Sequence, residues 1–228
     1  MKISEIFYSI QGEGTLAGVP SVFVRLTGCN LRCTWCDTPY TSWEPQGEDV
    51  TIDEILSRVR EPGARHAVVT GGEPMLFPEV VELTRELKQL GLHITIETAG
   101  TVDQPDIECD LMSISPKLAN STPRERDGGR WAEQHERLRF RPGVLSRLMR
   151  DYEYQLKFVV SAPGDLEELK GMCSAIGADR DRVLLMPEGI TSEALRERAT
   201  WLVDVCKREG FRYCPRLHID LWGNRRGV

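Results

Sequence analysis

The chain has 228 residues, 28% of them charged and 40% hydrophobic, with a net charge of −6. That length suits one domain or a small pair with a substantial core, and we take 1–228 as a single domain. The acidic balance argues against a general nucleic-acid or membrane-surface binder while leaving room for a local basic pocket. No apolar run reaches the length of a membrane span, and nothing after Met1 resembles an export signal, so a cytoplasmic, reducing compartment is expected.

Val22–Leu26 reads as a strand, and it leads into Cys29-Asn30-Leu31-Arg32-Cys33-Thr34-Trp35-Cys36, a C-x3-C-x2-C run. Three thiolates so close in sequence can converge on one metal centre, and no Cys or His follows within the next twenty residues to act as a fourth. Three ligands from a short loop suit a cubane iron–sulfur cluster with one iron left open to a small molecule. A structural zinc site is the second reading, but it closes with four ligands, usually as two short pairs. Cys109, Cys173, Cys206 and Cys214 are scattered singly and read as core residues. An odd count of seven cysteines speaks against a disulfide framework.

Further along, Thr51 and Glu54 form a capping box for a helix over Thr51–Arg60 with Ile52, Ile55, Leu56 and Val59 on one face. Ala67–Thr70 reads as a strand ending in Gly71-Gly72-Glu73-Pro74, followed by a helix from Pro78 to Leu90 stopped by Gly91. Strands follow at Leu92–Glu97, Leu111–Ser115, Leu156–Val160, Val183–Met186 and Arg216–Ile219, with helices over Leu166–Ile176 and Ser192–Glu209. This βα repetition predicts an α/β fold with a parallel sheet and outer helices, its functional residues gathered at the carboxyl ends of the strands. The chain is short for a closed eight-fold barrel, so a partial, open barrel of about six βα units is expected. Leu118–Tyr154, rich in Arg, Glu and Gly, breaks the rhythm. It reads as an insertion, partly helical, over one edge; a solvated, partly mobile segment is an equal alternative.

The cysteine run after one strand and Gly-Gly-Glu-Pro after the next resemble the radical S-adenosylmethionine enzymes. Longer stretches sharpen the likeness: Glu5 through Gly14 with Gln11-Gly12-Glu13-Gly14, Phe23 through Leu31, Cys36-Asp37-Thr38, Ile96 through Thr101, Ser115-Pro116-Lys117 and Leu217 through Asn224. In these the chain is similar to the 7-carboxy-7-deazaguanine synthase family. The likeness runs from end to end and is weakest in Leu118–Tyr154.

The resemblance implies a [4Fe-4S] cluster on Cys29, Cys33 and Cys36, whose open iron is chelated by S-adenosylmethionine and whose electron yields a 5′-deoxyadenosyl radical. The substrate it implies is a small pterin, 6-carboxy-5,6,7,8-tetrahydropterin, whose ring contracts with loss of ammonia on the way to queuosine and related deazapurines. The radical performs the abstraction, so no side chain is assigned as catalytic. Substrate contacts fall on Ile10, Gln11, Gly12, Glu13, Arg25, Thr70 and His218, with the Arg25 guanidinium paired to the substrate carboxylate. S-adenosylmethionine contacts fall on Trp35, Cys36, Asp37, Gly72, Glu73, Glu97, Ser115, Pro116, Lys117, Met186, Pro187 and Glu188. Thr38 would offer a hydroxyl to Mg²⁺, which needs further oxygens from substrate and water.

Taken alone, several of these residues have plainer readings. Arg25 could be a surface ion-pair residue, Thr38 a turn residue before Pro39, Lys117 a strand-end lysine and His218 a buried, backbone-satisfied histidine. The family also implies a homodimer and an external one-electron donor, flavodoxin-like or ferredoxin-like. A glycyl-radical activase and a non-catalytic metal-binding module are the competing classes. In some family members the chain ends near the position of Asn224 and its carboxylate meets the substrate. Here Arg225-Arg226-Gly227-Val228 continue beyond it, and the role of that tail stays open.

Overall fold

Alternation along the strands separates two faces. Val22, Val24, Leu26, Ala67, Val69, Ile94, Ile96, Met112, Ile114, Leu156, Phe158 and Val160 belong to one apolar core of buried side chains. Their neighbours in sequence include Arg25, Thr70, Glu97, Ser113, Gln155 and Lys157, which the two-residue period turns to the opposite face. One face is therefore sealed by helices, while the other is polar and surrounds a cavity.

The computed structural model describes residues 1–228. Its strands are β1 (Lys2–Ile10), β2 (Pro20–Leu26), β3 (Glu48–Asp49), β4 (His66–Gly71), β5 (His93–Thr98), β6 (Leu111–Ile114), β7 (Tyr154–Val160), β8 (Val183–Pro187) and β9 (Arg212–Tyr213). They form one sheet in the order β3-β1-β2-β4-β5-β6-β7-β8-β9. Only β1 runs antiparallel to its neighbours; from β2 to β9 every pairing is parallel. The two ends of this order do not pair with each other, so the sheet is the open, partial barrel the βα rhythm predicts.

The helices are α1 (Pro39–Ser42), α2 (Ile52–Arg60), α3 (Val80–Gln89), α4 (Ala132–Leu138), α5 (Pro142–Asp151), α6 (Asp165–Ile176), α7 (Ser192–Glu209) and α8 (Leu217–Trp222). The capping box at Thr51 forms reciprocally with Glu54, a feature that contributes about 1 kcal/mol. Within the out-of-rhythm segment, α5 lies between β6 and β7 in the chain and buries Val144, Leu145 and Leu148. It therefore fills the ordinary crossover position between two parallel strands.

Two strand assignments need correction. Arg216–Ile219, expected as a strand, lies instead at the start of α8, where the Ile219 and Asp220 amides donate to the Arg216 carbonyl. The position beside β8 is taken by Arg212–Tyr213; Arg216-Leu217-His218-Ile219 alternates polar and apolar side chains as a strand would, but four residues are too few for that alternation to exclude a turn of helix. Conversely, β1 escapes the apolar-run criterion because it is half-exposed and shifts register between Ile3 and Glu5.

Candidate active site

A cavity of about 500 Å³ opens at the carboxyl ends of the parallel strands. One wall is the loop from β2 to α1. The Gly28 amide donates to the Thr41 carbonyl at 2.8 Å and the Glu73 amide to the Gly28 carbonyl at 2.9 Å, so this loop is stitched to α1 and to the turn after β4. Gly72 is required here: a Cβ would stand 2.3 Å from the Gly28 carbonyl oxygen. The glycine thus brings the turn against the cysteine loop. Glu73 completes the stitch. It is fully buried, accepts from the Thr98 hydroxyl at 2.8 Å, the Ala99 amide at 2.8 Å and the Met75 amide at 3.1 Å, and so binds the end of β5. Burial raises its pKa, with these donors partly opposing the shift.

Cys29, Cys33 and Cys36 are free thiols lining this wall. The Leu31 amide points at Cys29 Sγ at 3.4 Å, and the Ser42 hydroxyl lies 3.3 Å from Cys36 Sγ. Burial pushes the Cys29 thiol up to about 12 and raises that of Cys33 as well. No group of three or more Cys, His, Asp or Glu side chains is drawn together as on a single metal ion. A cubane asks for something different: each thiolate takes its own iron, and N–H or O–H donors to sulfur tune the centre. Three soft donors on one cavity wall, with N–H or O–H partners at Cys29 and Cys36, fit such a cluster.

The segment before α5 braces the loop from outside. The Thr34 amide donates to the Ser121 carbonyl at 2.8 Å, Trp35 Nε1 to the Asn120 carbonyl at 3.1 Å, and the Arg32 amide to His135 Nδ1 at 3.1 Å. His135 is buried and its pKa is lowered to about 4 by burial, so it stays neutral and can accept through Nδ1. It is a functional support that the sequence reading missed; only its place in a polar, Arg-rich stretch marked it, and that signal is weak.

The opposite wall is built by charge. Glu97 on β5 accepts from the Thr70 hydroxyl on β4 at 2.8 Å and from Gln11 Nε2 at 3.2 Å. Lys157 on β7, buried, lies 2.9 Å from Glu13 and 3.6 Å from Glu97. Arg216, also buried, donates Nε to the other Glu13 oxygen at 3.0 Å. Burial alone would raise the pKa of Glu13, but Lys157 and Arg216 outweigh it and hold the carboxyl well below its usual range. Burial likewise works against charged Lys157, and Glu13 and Glu97 overcome it, so the ammonium persists. His218 packs over Gly12, where a Cβ would fall 2.0 Å from its Nδ1. Burial lowers the pKa of His218.

Arg25 lies one strand away from Glu5, opposite it in the β1–β2 register, and donates Nε to it at 2.7 Å. Tyr40 donates to the same carboxylate at 2.9 Å. Only the Nε edge of Arg25 is used, which leaves both terminal nitrogens for a ligand in the cavity that Arg25 lines.

Most residues singled out in the sequence share this one cavity. Ile10, Gln11, Gly12, Glu13, Arg25, Thr70 and His218 line it, as do Trp35, Asp37, Thr38, Gly72, Glu97, Ser115, Lys117, Met186 and Glu188. Lys117 sits 5.9 Å over the Trp35 ring and donates to the Ser115 hydroxyl at 2.7 Å. Glu73, Pro116 and Pro187 are outside the lining. Lys157 and Arg216 line it without having been singled out, since one is a lone lysine in an apolar run and the other a lone arginine after a proline. The tail from Asn224 to Val228 also reaches the cavity. It is held there by Arg226, which stacks over Tyr40 at 4.3 Å and donates to the Ser4 carbonyl at 2.9 Å.

Comparison with known proteins agrees with this geometry. Residues 23–115 match the model of the Radical SAM superfamily. The chain is 46% identical to a 7-carboxy-7-deazaguanine synthase of Rhodopirellula baltica over 99% of its own length and 88% of the relative's. It is 44% identical to that of Halobacterium salinarum over 98% and 91%. Among solved structures, QueE from Escherichia coli superposes with a TM-score of 0.69 at 26% identity, covering 95% of this chain and 94% of the other. With the cysteine wall, the charged wall and full-length relatives all in agreement, the chain belongs to the 7-carboxy-7-deazaguanine synthase family of radical SAM enzymes.

Proposed function

We propose that the chain converts 6-carboxy-5,6,7,8-tetrahydropterin to 7-carboxy-7-deazaguanine with release of ammonia, a radical ring contraction in the formation of queuosine and related deazapurines. The observation that carries this reading is a single cavity with three cysteines on one wall and Gln11, Arg25, Thr70, Glu97 and His218 on the other. The cluster and S-adenosylmethionine, when bound, supply the one-electron chemistry that removes a hydrogen atom from the carbon bearing the carboxylate. The chain's own residues bind and orient. Arg25, steadied by Glu5, offers a two-pronged guanidinium edge to the substrate carboxylate. Gln11 and Thr70, both hydrogen-bonded to Glu97, form a row suited to a flat heterocycle edge, with Glu97, an S-adenosylmethionine contact in the family resemblance, joining that row to the cofactor. Trp35 and Lys117 line the cysteine side, where S-adenosylmethionine would lie.

The Thr38 hydroxyl, which lines the cavity, would give Mg²⁺ one oxygen, with substrate and water completing the shell. A flavodoxin-like or ferredoxin-like donor, a homodimer and a cytoplasmic location belong to the same reading and are carried by the family resemblance alone. No helix is long and apolar enough to cross a membrane.

The test is anaerobic. The protein is reconstituted with iron and sulfide, given S-adenosylmethionine, reductant, Mg²⁺ and the carboxypterin, and its products are followed by mass spectrometry. A product lighter than substrate by ammonia is expected. Formation of 5′-deoxyadenosine and methionine alone, with the cluster intact, would keep the radical chemistry and overturn the substrate, leaving a glycyl-radical activase as the working reading.

A further inference from the structure

We propose that Arg216 is a positioning residue that holds the substrate-side Glu13 and the cysteine-loop Asp37 in one fixed relation. The inference deepens the function proposed above and rests on it. The Arg216 side chain is 7% exposed and its guanidinium is divided among three separate segments. Nε donates to Glu13, in the loop after β1, at 3.0 Å. One terminal nitrogen donates to Asp37, which directly follows Cys36. The other donates to the Gly189 carbonyl, just past β8, at 2.6 Å.

These segments come from opposite ends of the open sheet. β1 lies next to one end of the strand order, and β8 and β9 lie at the other. Two further ties flank the arginine: the Leu217 amide donates to the Gly12 carbonyl at 2.9 Å, and the Gly14 amide to the Cys214 side-chain Sγ at 3.1 Å. Arg216 is thus a cross-tie over the gap of the barrel, and two of its partners are anions that would repel each other without it. Glu13 follows the substrate row Gln11–Gly12, while Asp37 adjoins a cluster ligand. The guanidinium therefore sets how the substrate wall sits relative to the cofactor wall. Lysine keeps the charge, but its single nitrogen lacks the planar fork that serves three acceptors in different directions.

The test uses cluster-loaded protein under anaerobic conditions, with the carboxypterin as ligand. Iron content, melting temperature and the dissociation constants of the pterin and of S-adenosylmethionine are read for wild type, Arg216→Lys, Asp37→Asn and the double variant. Wild type is first shown to form product; its failure to do so overturns the proposed function and this inference with it. Arg216→Lys is expected to keep its iron and to weaken pterin binding by about tenfold or more, the usual worth of one charge-assisted hydrogen bond. Asp37→Asn, on the cofactor side, is expected to weaken pterin binding several-fold in the wild-type background and to add nothing once Arg216 is lysine. A lower melting temperature with unchanged pterin affinity would overturn the proposal, because Arg216 would then be scaffold alone. Additive effects of the two substitutions would overturn it too, because Asp37 would then act without the arginine. If Arg216→Lys fails to take up iron, Asp37→Asn alone decides: unchanged pterin affinity refutes the cross-tie, and weakened affinity supports it.

Discussion

The cysteine wall of the cavity, proposed as the cofactor wall, joins the cysteine loop to the Gly71–Pro74 turn and the end of β5 chiefly through backbone amides and the Glu73 carboxylate, and is braced from outside by the segment before α5. The charged wall, proposed as the substrate wall, gathers Gln11–Glu13, Glu97, Lys157, Arg216 and His218 from distant parts of the chain and is joined by ion pairs. The difference has a physical root. A centre held by three thiolates from one loop needs only local geometry and a firm backing. A site for a small, charged heterocycle needs polar groups aimed from several directions, and burying those groups requires each charge to find a partner. The two walls should therefore fail differently: the first through loss of the metal centre or of the fold, the second through substrate affinity and pH.

The largest expected effect is on the cofactor wall. Cys33→Ala should abolish the cluster absorbance, the bound iron and all S-adenosylmethionine cleavage, read by iron assay and anaerobic turnover; normal iron and turnover would remove the cluster from this loop. Glu73→Ala comes next. It strands three donors in the core, each costing about 1–3 kcal/mol, so a loss of roughly 3 kcal/mol or more is expected in denaturant unfolding. A loss below about 1 kcal/mol would show that the stitch between β4 and β5 does not depend on this carboxylate.

On the substrate wall, Arg25→Ala should raise the pterin KM by roughly 10- to 100-fold while cluster content and S-adenosylmethionine affinity hold. An equal fall in both would make Arg25 structural and blur the distinction between the walls. The smallest effect is on acid stability. Glu13 has a depressed pKa in the fold and an ordinary one, near 4.3, when unfolded. Its contribution is therefore complete above that value and is lost as pH falls through the folded pKa. Glu13→Gln should be less stable than wild type at neutral pH and should lose less stability between about pH 5 and pH 2, measured by urea unfolding across pH. Parallel pH profiles for the two proteins would mean that the pairing with Lys157 and Arg216 does not stabilise the fold.

Legibility in the sequence followed the same division. The cysteine spacing, the Gly-Gly-Glu-Pro turn and the capping box at Thr51 are local patterns; the turn and the capping box took the local form their spacing implies, and the three cysteines share one cavity wall. Glu73 shows the limit. Its neighbours identified the turn, but nothing local showed that its carboxylate would face the core and leave the cavity lining. At Leu118–Tyr154 the polar composition gave no sign of His135 and of the hydrogen bonds that brace the cysteine loop. At Arg216 a four-residue polar–apolar alternation read as a strand, and the cross-tie of the side chain depends on partners about 180 and 200 residues away in the chain.

By itself the sequence determined the α/β class, the period-two faces of the parallel strands, the three-thiolate loop and the family. The first three are written in spacing over a few to a dozen residues, where backbone geometry dictates what can meet, and the family is written in motifs whose likeness runs from end to end of the chain. Only the tertiary structure decided the antiparallel β1, the pairing of Lys157 and Arg216 with Glu13, and the return of the C-terminal tail to the cavity. Those contacts join residues from distant parts of the chain, and their partners are selected by the need to neutralise buried charge once the sheet has curved, a condition that no short window of sequence expresses.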